Sequence, residues 1–149
     1  EIVTENGEIV RFDREAMRFG YRHSILHTMP GIVVEATFEL APGERKEIAA
    51  AMAAYKERRQ RTQPLQAPTA GSVFRNPPGD HAARLIEAAG LKGYRVGGAV
   101  VSDIHANFIV NTGQAKAEDV LTLMEHIQRT VKAQFGVELV PEVLVVGER

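Results

Sequence analysis

The stretch TAGSVFRNPPGDHAARLIEAAG, residues 69–90, changes character twice within a short span. It opens on small, flexible Ala70-Gly71, sets a single hydroxyl at Ser72, and then runs through an aromatic, a cation and an amide to Pro77-Pro78-Gly79. That first part reads neither as a clean strand nor as a helix; it is either an ornate turn or the wall of a pocket. Past the prolines, His81 to Ala89 puts Leu85 and Ile86 on one side and stops at Gly90. This predicts a short helix with glycine in the C′ position.

Downstream, LKGYRVGGAVVS (91–102) is a glycine-rich loop entering a strand, and HANFIVNTG (105–113) reads as another strand. Glu118 to Phe135 is a long helix with Val120, Leu121, Met124, Ile127 and Val131 on its buried face and Gly136 closing it. ELVPEVLVVG (138–147) is a last strand, interrupted by Pro141. Upstream, TQPLQAPT (62–69) has two prolines and no periodicity, which marks a linker or boundary. Glu44 to about Arg61 is a helix with a narrow apolar stripe of Ile48, Met52 and Tyr55. Within MPGIVVEATFEL (29–40), Val34, Ala36, Phe38 and Leu40 point one way and Glu35, Thr37 and Glu39 the other. That alternation predicts a half-buried strand. Asp13 to Ala16 suits a short helical turn. EIVTENGEIVRF (1–12) predicts a hairpin about Asn6-Gly7. Strands and helices interleave without regular βαβ spacing, so the expected class is α+β.

The 149-residue chain is 44% hydrophobic and 25% charged, values of an ordinary globular domain. Its net charge of −1 provides no global field to recruit nucleic acid or anionic lipid. With no cysteine, disulfides, thiolate zinc sites and cysteine nucleophiles are excluded together. No apolar run approaches the roughly 20 residues of a membrane span, and a reducing cytoplasm fits best. The chain opens at Glu1 in mid-hairpin, so a piece of a longer or processed protein is expected.

Local chemistry is less decisive. The five histidines show no metal-ligand spacing, and no metal site is expected. Gly97-Gly98 lacks the G-x-G-x-x-G pattern and reads as a tight turn at a strand entry. Ser72 stands outside G-x-S-x-G, with no base in view. Arg58, Arg59 and Arg61 crowd a helix C-terminus, where either a solvated basic face or an anion site is consistent with the pattern. By residues alone, this is an α+β domain with one suspicious loop.

Several motifs in order go further. GSVFRNPPG (71–79), HAARLIEAAGLKG (81–93), VGGAVVSDIHANFIVN (96–111) and FGVELVPEVLVVG (135–147) resemble the C-terminal region of bacterial UDP-N-acetylenolpyruvoylglucosamine reductases, the MurB family. FGYRHS (19–24) is similar to that family's F-G-Y-R-x-S element, and the resemblance runs from Glu1 to Glu148. It implies NADPH- and FAD-dependent reduction of the enolpyruvyl ether of UDP-N-acetylglucosamine to UDP-N-acetylmuramate, in peptidoglycan precursor synthesis. A non-catalytic nucleotide-sugar binding domain is the rival from another class.

By the same resemblance Ser72 donates the proton to the α carbon. Arg22 holds the substrate carboxylate, and Glu142 shares a proton with the enolate oxygen. Tyr21, Arg59, Gln63 and Asn76 match positions that contact the substrate or its diphosphate, which turns Arg59 toward function and leaves Arg58 and Arg61 as surface. Residues 1–66 would be the end of the FAD-binding domain and 67–149 the substrate-binding domain of a monomeric enzyme. Helix 44–61 runs straight into TQPLQAPT, without the tyrosine-bearing loop of one branch, which suggests the compact type. Leu144 stands where the family commonly has arginine. The family's glycine-rich flavin loops are not among these residues, so the chain by itself should hold FAD weakly or not at all and should not turn over.

Overall fold

A computed structural model describes residues 1–147; Glu148, where the resemblance ends, lies outside the described residues. The chain is α+β and divides into two compact units, 1–44 and 45–149.

The first unit is a small antiparallel sheet of β1 (Ile2–Thr4), β2 (Ile9–Val10) and β3 (Gly31–Val33), in the order β2-β1-β3. Its hairpin is turned as a three-residue loop. The Gly7 N–H donates to Thr4 O at 2.9 Å, Thr4 N–H donates to Glu8 O at 2.9 Å, and Gly7 sits at φ +79°. That is a type I turn followed by a left-handed residue, the geometry glycine makes cheap. Asp13 forms the expected helical turn, its carboxylate accepting from Ala16 N–H at 2.8 Å. The half-buried strand expected over 34–40 is not present. The β1–β3 pairing ends at Val33, and only Val34 and Glu35 still donate backward, to Glu1 O. Phe38 and Leu40 are 78% and 84% exposed. Alternation marks two faces but forms a strand only where a neighbouring edge takes its hydrogen bonds, and among the described residues none does so past Glu35.

The second unit opens with α1 (Arg45–Thr62), which buries none of its residues; Met52 and Tyr55 of the predicted stripe are 66% and 70% exposed. A four-stranded antiparallel sheet follows, β4 (Thr69–Ser72), β5 (Arg95–Val96), β6 (Ala99–Val101) and β7 (Phe108–Asn111), ordered β4-β7-β6-β5. Helices α2 (Ala82–Ala88) and α3 (Ala117–Phe135) complete the layer packing. Their residues Leu85, Ile86, Leu123, Ile127 and Val131 meet Val73, Phe74, Ala99, Val101 and Ile109 of the sheet region in one core. Each fully buried aliphatic side chain of this kind contributes about 1.5–3 kcal/mol. Leu123 is wholly buried while Val120 and Leu121 are only partly so. α3 touches α2 as well as β5 and β6, so its buried arc is wider than a single stripe.

The opening stretch does contain a strand. β4 pairs with β7 through Thr69↔Val110 and Ser72↔Phe108, three steps on one side against two on the other. The extra residue is a bulge, with Gly71 at φ +83°. α2 ends as predicted: Gly90 N–H donates to Glu87 O at 2.9 Å and Leu91 N–H to Ile86 O at 3.2 Å, with Gly90 at φ +73°. This is a complete Schellman closure. The final strand expected at 138–147 is reduced to one bridge, Phe74↔Pro141.

The start of α2 carries an acid-sensitive tie. Arg84 donates to Asp80 through Nε at 2.7 Å and also through Nη2, and His81 N–H donates to it at 2.7 Å. Chiefly the guanidinium, and then the backbone donor, pull the Asp80 carboxyl down to about 2. A depressed carboxyl stabilises the fold above its unfolded value of about 3.9 and loses that contribution as pH falls through the native one. Melting temperatures should therefore fall less steeply in Asp80→Asn than in the parent from about pH 4 downward. Parallel acid limbs would show that the tie contributes nothing.

Candidate active site

Ser72 ends β4 immediately after the bulge, half-buried, its backbone paired with Phe108. Bulges re-aim the side chain that follows them and recur beside active sites. The next residues, Val73 and Phe74, are held on both edges. On one, Val73 N–H donates to Asn107 O at 2.9 Å. The Asn107 amide then takes over the ladder, accepting from Phe74 N–H at 3.0 Å and donating to Phe74 O at 2.8 Å.

On the other edge runs the chain after α3. Arg75 N–H donates to Val140 O at 2.9 Å and Glu142 N–H to Val73 O at 2.8 Å. Those two bonds flank Phe74 and Pro141, making them a non-hydrogen-bonded pair. Proline is tolerated there because that position needs no N–H, so Pro141 does not break the pairing that carries Glu142. Gln128 of α3 secures the approach by donating to Leu139 O at 2.8 Å. Glu142 is thereby fixed opposite Val73, one residue along from Ser72.

Asn76 has a structural task. Its Oδ1 accepts from Ala82 N–H, the first residue of α2, at 3.1 Å, while the N-cap residue His81 makes no side-chain cap. It anchors the Pro77-Pro78-Gly79 turn to the helix.

Arg59 and Gln63 come together at the end of α1, with Arg59 Nε donating to Gln63 Oε1 at 3.2 Å. They line a cleft of about 600 Å³ with Tyr55, Arg58, Arg61, Thr62, Ile104 and His105. Three guanidinium groups on one wall suit a polyanion. Arg58 and Arg61, read from sequence as surface, thus belong to the same cleft as Arg59, and His105 joins them. His105 Nδ1 accepts from Asn107 N–H at 3.3 Å, which leaves the ring proton on Nε2. Desolvation, and then the nearby Lys92, hold its pKa below the ordinary histidine value.

Tyr21 and Arg22 lie in the first unit, on a reverse turn closed by Gly20 N–H to His23 O at 2.9 Å and His23 N–H to Gly20 O at 3.2 Å. Arg22 takes φ +53° and its guanidinium sits 5.6 Å from the Tyr21 ring centroid. A left-handed arginine costs on the order of 1–2 kcal/mol, strain of the type that clusters at functional sites.

Asn107 is the site residue that sequence reasoning missed. The available signal was an amide set inside the apolar run ANFIV, 4% exposed in the structure. Among the described residues no His/Asp/Glu group could hold a metal ion, and no helix is long and apolar enough to cross a membrane.

Residues 63–146 match the family described as UDP-N-acetylenolpyruvoylglucosamine reductase, C-terminal domain. A protein of that name from Caldanaerobacter subterraneus subsp. tengcongensis is 49% identical over 149 residues, covering 100% of this chain and 49% of that protein. One from Bacillus licheniformis is 48% identical, covering 99% of this chain and 81% of that protein. One from Synechococcus elongatus is 47% identical, covering 99% of this chain and 49% of that protein. Against most of these relatives the chain spans about half their length. The crystal structure of UDP-N-acetylenolpyruvylglucosamine reductase (MurB) from Thermus caldophilus superimposes with a TM-score of 0.79 at 40% identity, over 95% of this chain and 49% of that one.

Proposed function

Because this chain belongs to the UDP-N-acetylenolpyruvoylglucosamine reductase family, we propose that it supplies the substrate-handling side of that reaction in peptidoglycan precursor synthesis. Residues 67–149 form the substrate domain, and residues 1–66 the end of a flavin domain. The observation that carries the proposal is the 2.8 Å bond from Glu142 N–H to Val73 O, which holds the two proton-handling residues on adjacent paired segments.

Reducing the enolpyruvyl double bond at its terminal carbon leaves negative charge on the carbon that bears the carboxylate. That charge spreads into the carboxylate as an enolate. Ser72 delivers a proton to the α carbon, and Glu142 shares a proton with the enolate oxygen. A hydroxyl is a weak acid, so its efficiency rests on geometry: a bulge before it and a strand clamped on both edges after it. Arg22 binds the substrate carboxylate with its planar fork, beside Tyr21. Arg59 and Gln63 bind the diphosphate in the basic cleft, and Asn76 contributes from the rigid turn.

The expected FAD and NADPH fit these residues poorly. A dinucleotide pyrophosphate is held by glycine-rich backbone at a helix N-terminus. Gly97-Gly98 instead closes the β5–β6 hairpin, with Gly98 N–H donating to Asp119 at 3.2 Å. Gly97-Gly98 therefore carries no flavin pyrophosphate site.

The deciding experiment is NADPH oxidation by the full-length protein, dependent on UDP-N-acetylglucosamine enolpyruvate. Arg59→Met in that protein should raise KM for the nucleotide sugar about tenfold or more, the value of one hydrogen bond to a charged group, with kcat less affected. Full-length protein that binds the nucleotide sugar without oxidising NADPH would indicate a binding domain instead.

A further inference from the structure

The segment 72–75, which continues from β4, has an unusual inner edge. β7 is hydrogen-bonded to β4 only as far as Ser72↔Phe108, because the chain before Phe108 turns away into the 102–106 loop. Phe74 is buried, so its N–H and C=O cannot fall back on water. They face Asn107, whose amide carries one acceptor and one donor spaced like a peptide group, and both bonds are made. On the opposite edge, Val73 C=O accepts from Glu142 N–H and Arg75 N–H donates to Val140 C=O. Asn107 itself is fixed through its N–H to His105 Nδ1 and its carbonyl from Val73 N–H.

We infer that Asn107 is a positioning residue for the reaction: its side-chain amide stands in for the missing strand residue and thereby sets the Ser72–Glu142 spacing. The inference rests on the reading of Ser72 and Glu142 as the proton-handling pair. Without the amide, Phe74 keeps its apolar burial but loses both inner bonds, and the segment pivots about the outer pairing that carries Glu142. A misplacement of about 1 Å at a reacting group costs on the order of 10²-fold in rate.

The test uses the full-length holoenzyme, with NADPH-driven flavin reduction and substrate-driven reoxidation timed separately. Asn107→Leu matches the amide in size and removes both bonds. It should slow reoxidation by roughly 10–100-fold, leave flavin reduction unchanged, and move KM for the enolpyruvyl substrate little. Hydrogen exchange at the Phe74 amide should rise in the same variant. Val131→Ala, a buried α3 position outside this bond network, controls for lost stability alone; it should lower Tm without slowing reoxidation.

Asn107→Asp adds a readout that a purely structural role would not move. An ionised carboxylate accepts from Phe74 N–H but opposes Phe74 O, whereas a protonated one restores both bonds. Its reoxidation rate relative to the parent should therefore recover as pH falls. Asn107→Leu, which keeps His105 but offers no acid, serves as the pH blank.

Reoxidation at the parental rate in Asn107→Leu would overturn the inference. If Asn107→Leu fails to fold, a pH-independent Asn107→Asp would overturn it equally. Should Ser72→Ala also reoxidise normally, the reading of the proton donor falls first and takes this inference with it; slow Ser72→Ala beside normal Asn107→Leu refutes Asn107 alone.

Discussion

Ser72→Ala in the full-length protein is expected to leave flavin reduction by NADPH at its normal rate while slowing reduction of the enolpyruvyl substrate by about 10²–10⁴-fold, the range of one general acid. The two half-reactions separate because only the second needs a proton on the α carbon. The substitution removes an oxygen and little else. Ser72 is held by its backbone pairing to Phe108, which alanine keeps, and its neighbours Val73 and Phe74 stay locked by Asn107 and residues 140–142. The variant should therefore fold and bind nucleotide sugar like the parent. Stopped-flow absorbance of the flavin reads both steps. Equal slowing of the two would sink the proton-donor assignment, since damage shared by both steps is not loss of a proton.

Gly98→Ala is expected to be the most destabilising single-methyl change in the second unit. A Cβ at Gly98 would stand 2.6 Å from Gln114 C and 2.7 Å from Ala115 Cα, and closer still to Ala115 N. All three are backbone atoms, so no rotamer change relieves the clash. Nor can the glycine retreat. Its N–H donates to Asp119, and its carbonyl accepts from Thr112 N–H at 3.0 Å and Thr112 Oγ1 at 2.8 Å. Two backbone donors, Lys116 N–H first and Gly98 N–H second, hold the Asp119 carboxyl below its ordinary range, so the contact also anchors the start of α3. Forced overpacking of this type costs about 3 kcal/mol, a drop in Tm on the order of 10 °C for a unit this size. Gly79→Ala is the comparison: Gly79 is at φ +76° with nothing within 4 Å, so alanine there meets only the left-handed penalty of about 1–2 kcal/mol. Equal melting temperatures for the two variants would mean that the hairpin turn and residues 114–115 do not touch.

Some elements were readable because their determinants are local. α3 declared itself through its apolar spacing and its closing glycine, and α2 through Leu85, Ile86 and Gly90; a Schellman closure needs only the helix and its next two residues. Gly97-Gly98 was legible as a turn, and the structure gives the register Val96↔Ala99 with Gly97 at φ +51°. Misreadings fell where the outcome depended on a partner remote in sequence. Val34 to Leu40 alternate like a strand, yet strand formation requires an edge to bond, and no alternation reports whether one is present. Pro141 looked like an interruption because proline lacks a donor, while the pairing puts it where no donor is used.

By itself the sequence determined the α+β class, the two long helices, the closing glycines and, through its motif order, the family. Those follow from periodicity and from φ constraints carried by single residues. Only the tertiary structure decided that TAGS is a bulged strand, that Glu142 lies across from Val73, and that Asn107, thirty-three residues from Phe74, completes its ladder. The reason is that a backbone N–H or C=O is satisfied by whichever group the fold brings to it, and buried groups of this kind leave no local trace of who their partner will be.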